Sequence, residues 1–228
     1  MTTYDMKTIS PNTSGPANNR SVIFGADNQG AATPVPYDFG ALRTAVLGVL
    51  YAANRWYTPF GVDGAGTGGA LGAASTIYLF PGLIAQKCTL NALGCHISGT
   101  AAVGNIQLAV YANSSAMRPT GTALASTASI STNSANTGVN AAVSVQLDAG
   151  WYWFAANGDN TTATFNTVTS SLAPGLIGAA SQNAGLFNGT AYGLSVAQTF
   201  GTWPDLTSGS FTDFFSPPLV EFKIGSVP

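Results

Sequence analysis

An all-β fold, an antiparallel β-sandwich or jelly roll preceded by an extended N-terminal arm, is predicted by three features of the sequence. Apolar residues recur with a period of two in many short segments; Gly, Pro, Asn and Ser clusters separate those segments; and after residue 53 no stretch of comparable strength has helical spacing.

Residues 1–37 carry Pro11, Pro16, Pro34 and Pro36 among many Asn, Ser, Thr and Gly. Their one cluster of large apolar side chains is Val22-Ile23-Phe24, too little to offset the backbone entropy of folding. This segment is therefore expected to be an attachment arm that gains order from a partner, with Val22, Ile23 and Phe24 as its candidate anchor. Residues 38–53 form a connector. There Leu42, Ala45, Val46, Val49, Leu50 and Ala53 fall at helical spacing behind Asp38, a candidate N-cap, which predicts a short helix weakened by Gly48. The alternative is an extended strand from Val46 to Tyr51.

Residues 54–228 are the predicted sandwich. Ile77 and Leu79 alternate with Thr76 and Tyr78; Leu93, Cys95 and Ile97 with Gly94 and His96; Ile106, Leu108 and Val110 with Gln107 and Ala109. The same alternation runs through Val143–Leu147, Tyr192–Val196 and Val220–Ile224. About eight to ten strands, each with one polar face, suggest two packed antiparallel sheets. The glycine-rich stretch 61–69 and the Asn/Ser-rich stretch 133–140 are expected to be loops. Asp148-Ala149-Gly150 supplies turn chemistry between two strands and predicts a hairpin of 143–147 with 151–155.

Only 7% of the 228 residues are charged, against roughly a quarter in an ordinary globular domain. With a net charge of −2, such a surface offers little self-repulsion and tolerates close neighbours, so assembly, including homo-oligomers, is expected. The seven basic residues are scattered singly, which argues against a nucleic-acid partner. The strongest apolar run, Ala45 to Ala53, is far shorter than the roughly 18–20 residues that span a bilayer, and Met1-Thr2-Thr3-Tyr4-Asp5 has no secretory character. No membrane partner is expected, and synthesis in the cytoplasm is.

Cys88 and Cys95 lie seven residues apart in one extended segment, which places them on opposite faces and roughly 23 Å apart at strand rise. Two reduced thiols are expected. Catalysis is poorly provided for: His96 alternates out of phase with the buried residues around it, and the nine acidic residues are dispersed singly. Gly64-Ala65-Gly66-Thr67-Gly68-Gly69 lacks the Gly-Lys-Ser/Thr ending of a phosphate loop. Gly158-Asp159-Asn160 reads as a turn before it reads as a calcium ligand set, and no metal or cofactor is expected. The aromatic run Trp151-Tyr152-Trp153-Phe154 is more informative. Its neighbours face opposite ways, so both faces of this strand are aromatic; one pair should fill the core and the other be covered by a second layer, a subunit or a ligand.

The order Asn54-Arg55-Trp56-Tyr57, Ile77-Tyr78-Leu79-Phe80-Pro81 and Ile106-Gln107-Leu108-Ala109-Val110-Tyr111-Ala112 resembles a β-sandwich module of tailed-bacteriophage virion proteins. Leu147-Asp148-Ala149-Gly150-Trp151-Tyr152-Trp153 is similar to that family's Leu-x-x-Gly-x-Tyr-Trp hairpin, and Pro217-Pro218-Leu219-Val220 to its closing strand. The resemblance covers 54–228 and implies a fibre, head-decoration or tail-appendage domain, attached to capsid or tail subunits through its N-terminal segment and without catalytic residues. The expected function is thus that of a non-enzymatic structural component of a virion, assembled in the host cytoplasm. The alternative is a carbohydrate-binding module that recognises a host-surface glycan through exposed Trp, Tyr and Asn side chains.

Overall fold

The computed structural model describes residues 51–171 and 192–228, and the chain's contacts gather Tyr51–Pro228 into one compact unit. The arm at 1–37, with Val22, Ile23 and Phe24, and residues 38–50 of the connector lie outside the described residues. The described residues contain no helix.

The strands are β1 (Trp56–Tyr57), β2 (Val62–Ala70), β3 (Thr76–Ile84), β4 (Cys88–Ile97), β5 (Asn105–Asn113), β6 (Pro119–Ser126), β7 (Ile130–Ser131), β8 (Thr137–Leu147), β9 (Gly150–Gly158), β10 (Thr164–Ser171), β11 (Gly193–Ala197), β12 (Thr212–Phe214) and β13 (Glu221–Ser226). They form two antiparallel sheets. The six-stranded sheet runs β1-β13-β4-β10-β2 with β8 also paired to β4; the seven-stranded sheet runs β12-β11-β3-β9-β5-β6 with β7 also paired to β5.

The two sheets pack face to face over an aromatic ladder. Phe80 of β3 stacks on Phe154 of β9, and Phe154 stacks on Phe222 of β13 across the sandwich, each pair with ring centroids 5.8 Å apart. Tyr51 closes this layer against Phe222, and its hydroxyl accepts from the Ala85 amide at 2.9 Å. The opposite face of the seven-stranded sheet is also buried. Ile77, Leu79, Ala109, Tyr111, Trp153, Ala155 and Leu194 form a second core beneath Leu206, Trp203 and Phe211. The segment 198–211 that covers them has no regular strand and is pinned by two hydrogen bonds: the Tyr111 hydroxyl donates to the Pro204 carbonyl, and Leu206 N–H to the Gly121 carbonyl.

Three expectations are corrected. The stretch 61–69 is not a loop but most of strand β2, paired to β10 along its length with two register shifts. Glycine is required at 64 and 68 by close packing: a Cβ at Gly64 would fall 2.4 Å from Leu219 Cδ2, and one at Gly68 1.8 Å from Ser98 Oγ. Nor do β8 and β9 form a hairpin. β8 pairs with β4 and β9 with β3, so Asp148-Ala149-Gly150 carries the chain from one sheet to the other. Ala85-Gln86-Lys87 makes the parallel crossing from β3 to β4, and the two arches stack, with Cys88 opposite Leu147, Ile84 opposite Gly150, and Lys87 paired to Asp148 at 3.0 Å.

The third correction concerns the cysteines. A register shift between Leu90 and Ala92 changes the phase of β4, so Cys88 and Leu90 on one side of it and Leu93, Cys95 and Ile97 on the other are all buried. Both thiols are free. Burial pushes Cys88 from 9.0 up to about 11 and Cys95 up to about 12, the latter helped by the nearby Glu221 charge. A folded pKa above the unfolded one adds stability that is complete below pH 9 and lost as pH rises through those values. Thiol titration at pH 8 should count two groups in denaturant and almost none over the same minutes in the native protein. A count of zero in denaturant, or equal rates in the two states, would contradict this placement.

Candidate functional site

The outer face of the six-stranded sheet carries one organised groove. On that face the antiparallel register sets Glu221 of β13 opposite Gly94 of β4, and Gly94 opposite Asn140 of β8; one step along, His96 lies opposite Gly138. Side chains alternate along a strand, so these five positions share one surface. Two of them are glycine, which leaves bare backbone as a floor between the polar groups at either side.

Trp56 closes one end. It sits on β1 opposite Lys223, and its ring reaches across β13 to the next strand: a Cβ built on Gly94 would lie 3.1 Å from Trp56 Cζ3 and 3.0 Å from the Val139 carbonyl oxygen. Gly94 is consequently buried on an otherwise open face, while Trp56 itself remains 40% exposed. The groove bounded by Trp56, Gly94, Gly138, Asn140 and Glu221 has a volume of about 330 Å3.

Its electrostatics come from one carboxyl and its neighbours. Desolvation holds the half-buried Glu221 carboxyl above the ordinary carboxylate range, and the His96 charge offsets part of that rise. Lys223, two residues along β13 on the same face, is the register partner of Trp56. His96 Nδ1 is buried without a hydrogen-bond partner. A buried ring nitrogen left unpaired costs stability.

His96 thus occupies the face expected of it, half-buried and turned from Leu93, Cys95 and Ile97. Its charge partner, Glu221, is 125 positions further along and reaches it only through strand pairing. The aromatic run divides differently from a subunit-contact surface. Trp153 and Phe154 are fully buried, Trp153 under the chain's own segment 198–211 and Phe154 between the sheets, and neither is available to a neighbouring subunit; Trp151 and Tyr152 are half-buried. Gly158-Asp159-Asn160 is a turn: Asn160 Oδ1 accepts from the Thr162 and Ala163 amides, and Asp159 accepts from Asn105. Among the described residues no three His, Cys, Asp or Glu side chains group as a metal site.

Trp56, Asn140 and Glu221 were not legible as site residues. Their one sequence signal is the pair of glycines, Gly94 and Gly138, at outward-facing positions of strands that are otherwise furnished with side chains. Chemically the groove offers an aromatic surface, an amide and a carboxyl, with one carboxyl where glycoside hydrolysis uses two. That set suits recognition by stacking and hydrogen bonding.

The fold defines the chain as a two-sheet antiparallel β-sandwich. No protein-family model matches it, and no curated protein matches it significantly.

Proposed function

We propose that the chain is a structural component of a tailed-phage type of virion, joined to capsid or tail subunits by its N-terminal segment and presenting the sandwich 51–228 as a decoration, fibre or tail appendage. The observation that carries this reading is the self-closure of the sandwich. Both faces of the seven-stranded sheet are covered by the chain's own residues, one by the second sheet and one by Leu206, Trp203 and Phe211. A unit that needs no partner to complete its core is suited to display on a particle. The charge-poor surface, with 7% charged residues, supports it by lowering the cost of close packing. So does the resemblance of 54–228 to virion modules.

An antibody against the sandwich should label purified particles from a lysate in which this protein is made, and the protein should sediment with them on a density gradient. Deleting residues 1–36 should leave it soluble and remove it from the particle fraction. Recovery of the full chain only among free soluble proteins would overturn the proposal.

A further inference from the structure

The groove beside Trp56 has a chemistry that the structural role does not use. Its aromatic wall is an exposed indole held in place by the sheet, since the ring rests over Gly94 and any side chain there would displace it. Indole presents an electron-rich face that favours the weakly positive C–H face of an aliphatic ring. Around that wall stand groups that bond hydroxyls. Asn140 both donates and accepts, and Glu221 accepts.

Charge decides the class of ligand. Glu221 and Lys223 stand two residues apart on the same face of β13, one group of each sign, so the groove singles out neither a cation nor an anion. An uncharged ligand with one apolar face and several hydroxyls fits both features. A volume of about 330 Å3 is at the small end of the range for ligand sites, enough for one ring and not for a folded peptide.

We propose that the outer face of the six-stranded sheet is a saccharide subsite, in which one neutral pyranose ring stacks on Trp56 beside the open Gly138 and directs its hydroxyls to Asn140 and Glu221. The sandwich then recognises a glycan through the sheet face, between strands β1 and β8. The proposal stands independently of the virion reading, because particle association and sugar binding are separate measurements.

The test uses the full chain on an array of neutral oligosaccharides ending in glucose, galactose, mannose or N-acetylglucosamine, with sialylated glycans, sulfated glycans and a lysine-rich peptide as charged comparators. Binding to one or more neutral glycans is expected. Trp56→Ala should weaken it about tenfold or more, as removal of the stacking wall implies. Gly138→Ile supplies a second variant. A Cβ at Gly138 meets nothing within 4 Å, so the new side chain enters the groove without disturbing the fold. This variant should lose glycan binding at a thermal midpoint no lower than that of the native protein. Absence of binding to every neutral glycan, preference for the charged comparators, or binding that survives both substitutions would each overturn the proposal.

Discussion

Trp153→Ala is expected to destabilise the sandwich by about 3–5 kcal/mol, the usual cost of emptying a fully buried large aromatic site. Trp153 is completely buried at the centre of β9, between Pro81 on β3 and Tyr111 on β5. It packs into the core that the segment 198–211 covers, and its Nε1–H donates to Asn113 Oδ1 at 2.9 Å. Truncation therefore leaves a cavity, strips the underside of Leu206 and Phe211, and leaves Asn113 without its indole donor. A native stability of about 5–15 kcal/mol makes this a loss that urea denaturation reads directly as a lower midpoint. Trp151, half-buried near the start of the same strand, is the control, and Trp151→Ala should cost about 1 kcal/mol. Equal midpoints for the two variants would show that segment 198–211 does not seal the second core.

The difference between Trp151 and Trp153 also marks where sequence patterning stops being informative. Alternation identifies strands whose one face is apolar, and it finds β3, β5, β11 and β13 because Ile77, Leu79, Ile106, Leu108, Leu194 and Phe222 keep a strict period of two. It misses β2, where glycines contribute no side chain to the pattern, and β10, where Thr164-Phe165-Asn166-Thr167-Val168 mixes both classes on both faces. Glycine is intrinsically poor in strands, so only tertiary packing against Leu219, Ser98 and Thr167 explains why β2 forms.

Turn chemistry is legible at Asp148-Ala149-Gly150, but a turn between paired strands and an arch between sheets use the same residues. The stacked arch from β3 to β4 and the Lys87–Asp148 ion pair decide between them, and both depend on a partner some 60 positions away. A period-two rule also carries a hidden assumption of constant phase, which the register shift after Leu90 breaks for the two cysteines. The groove was illegible for a related reason. Trp56, Gly94, Asn140 and Glu221 come from four different strands, and nothing local to any of them signals the others.

Gly193→Ala is expected to be the most disruptive single-methyl change in the sandwich, costing about 3 kcal/mol, the upper end for overpacking. Gly193 opens β11, paired to Phe214 of β12 and lying against Leu79 of β3. A Cβ there would sit 2.0 Å from the Leu79 carbonyl oxygen and 3.0 Å from both the Leu79 carbonyl carbon and Pro217 Cγ. The obstacle is backbone, held by β3 pairing with β9, and cannot rotate aside as a side chain would. β11 must instead move off β3, which exposes Leu194, now almost fully buried in the second core. Gly138→Ala provides the comparison, since nothing lies within 4 Å of its Cβ and replacing a strand glycine by alanine restricts the unfolded chain. That variant should be neutral or more stable by up to about 1 kcal/mol. Urea midpoints of the two proteins should therefore move in opposite directions or differ strongly, and hydrogen exchange in Gly193→Ala should accelerate along β11 and β12 before it does in β9. A Gly193→Ala protein as stable as Gly138→Ala would mean that β11 does not lie against Leu79 as closely as its register with β3 requires.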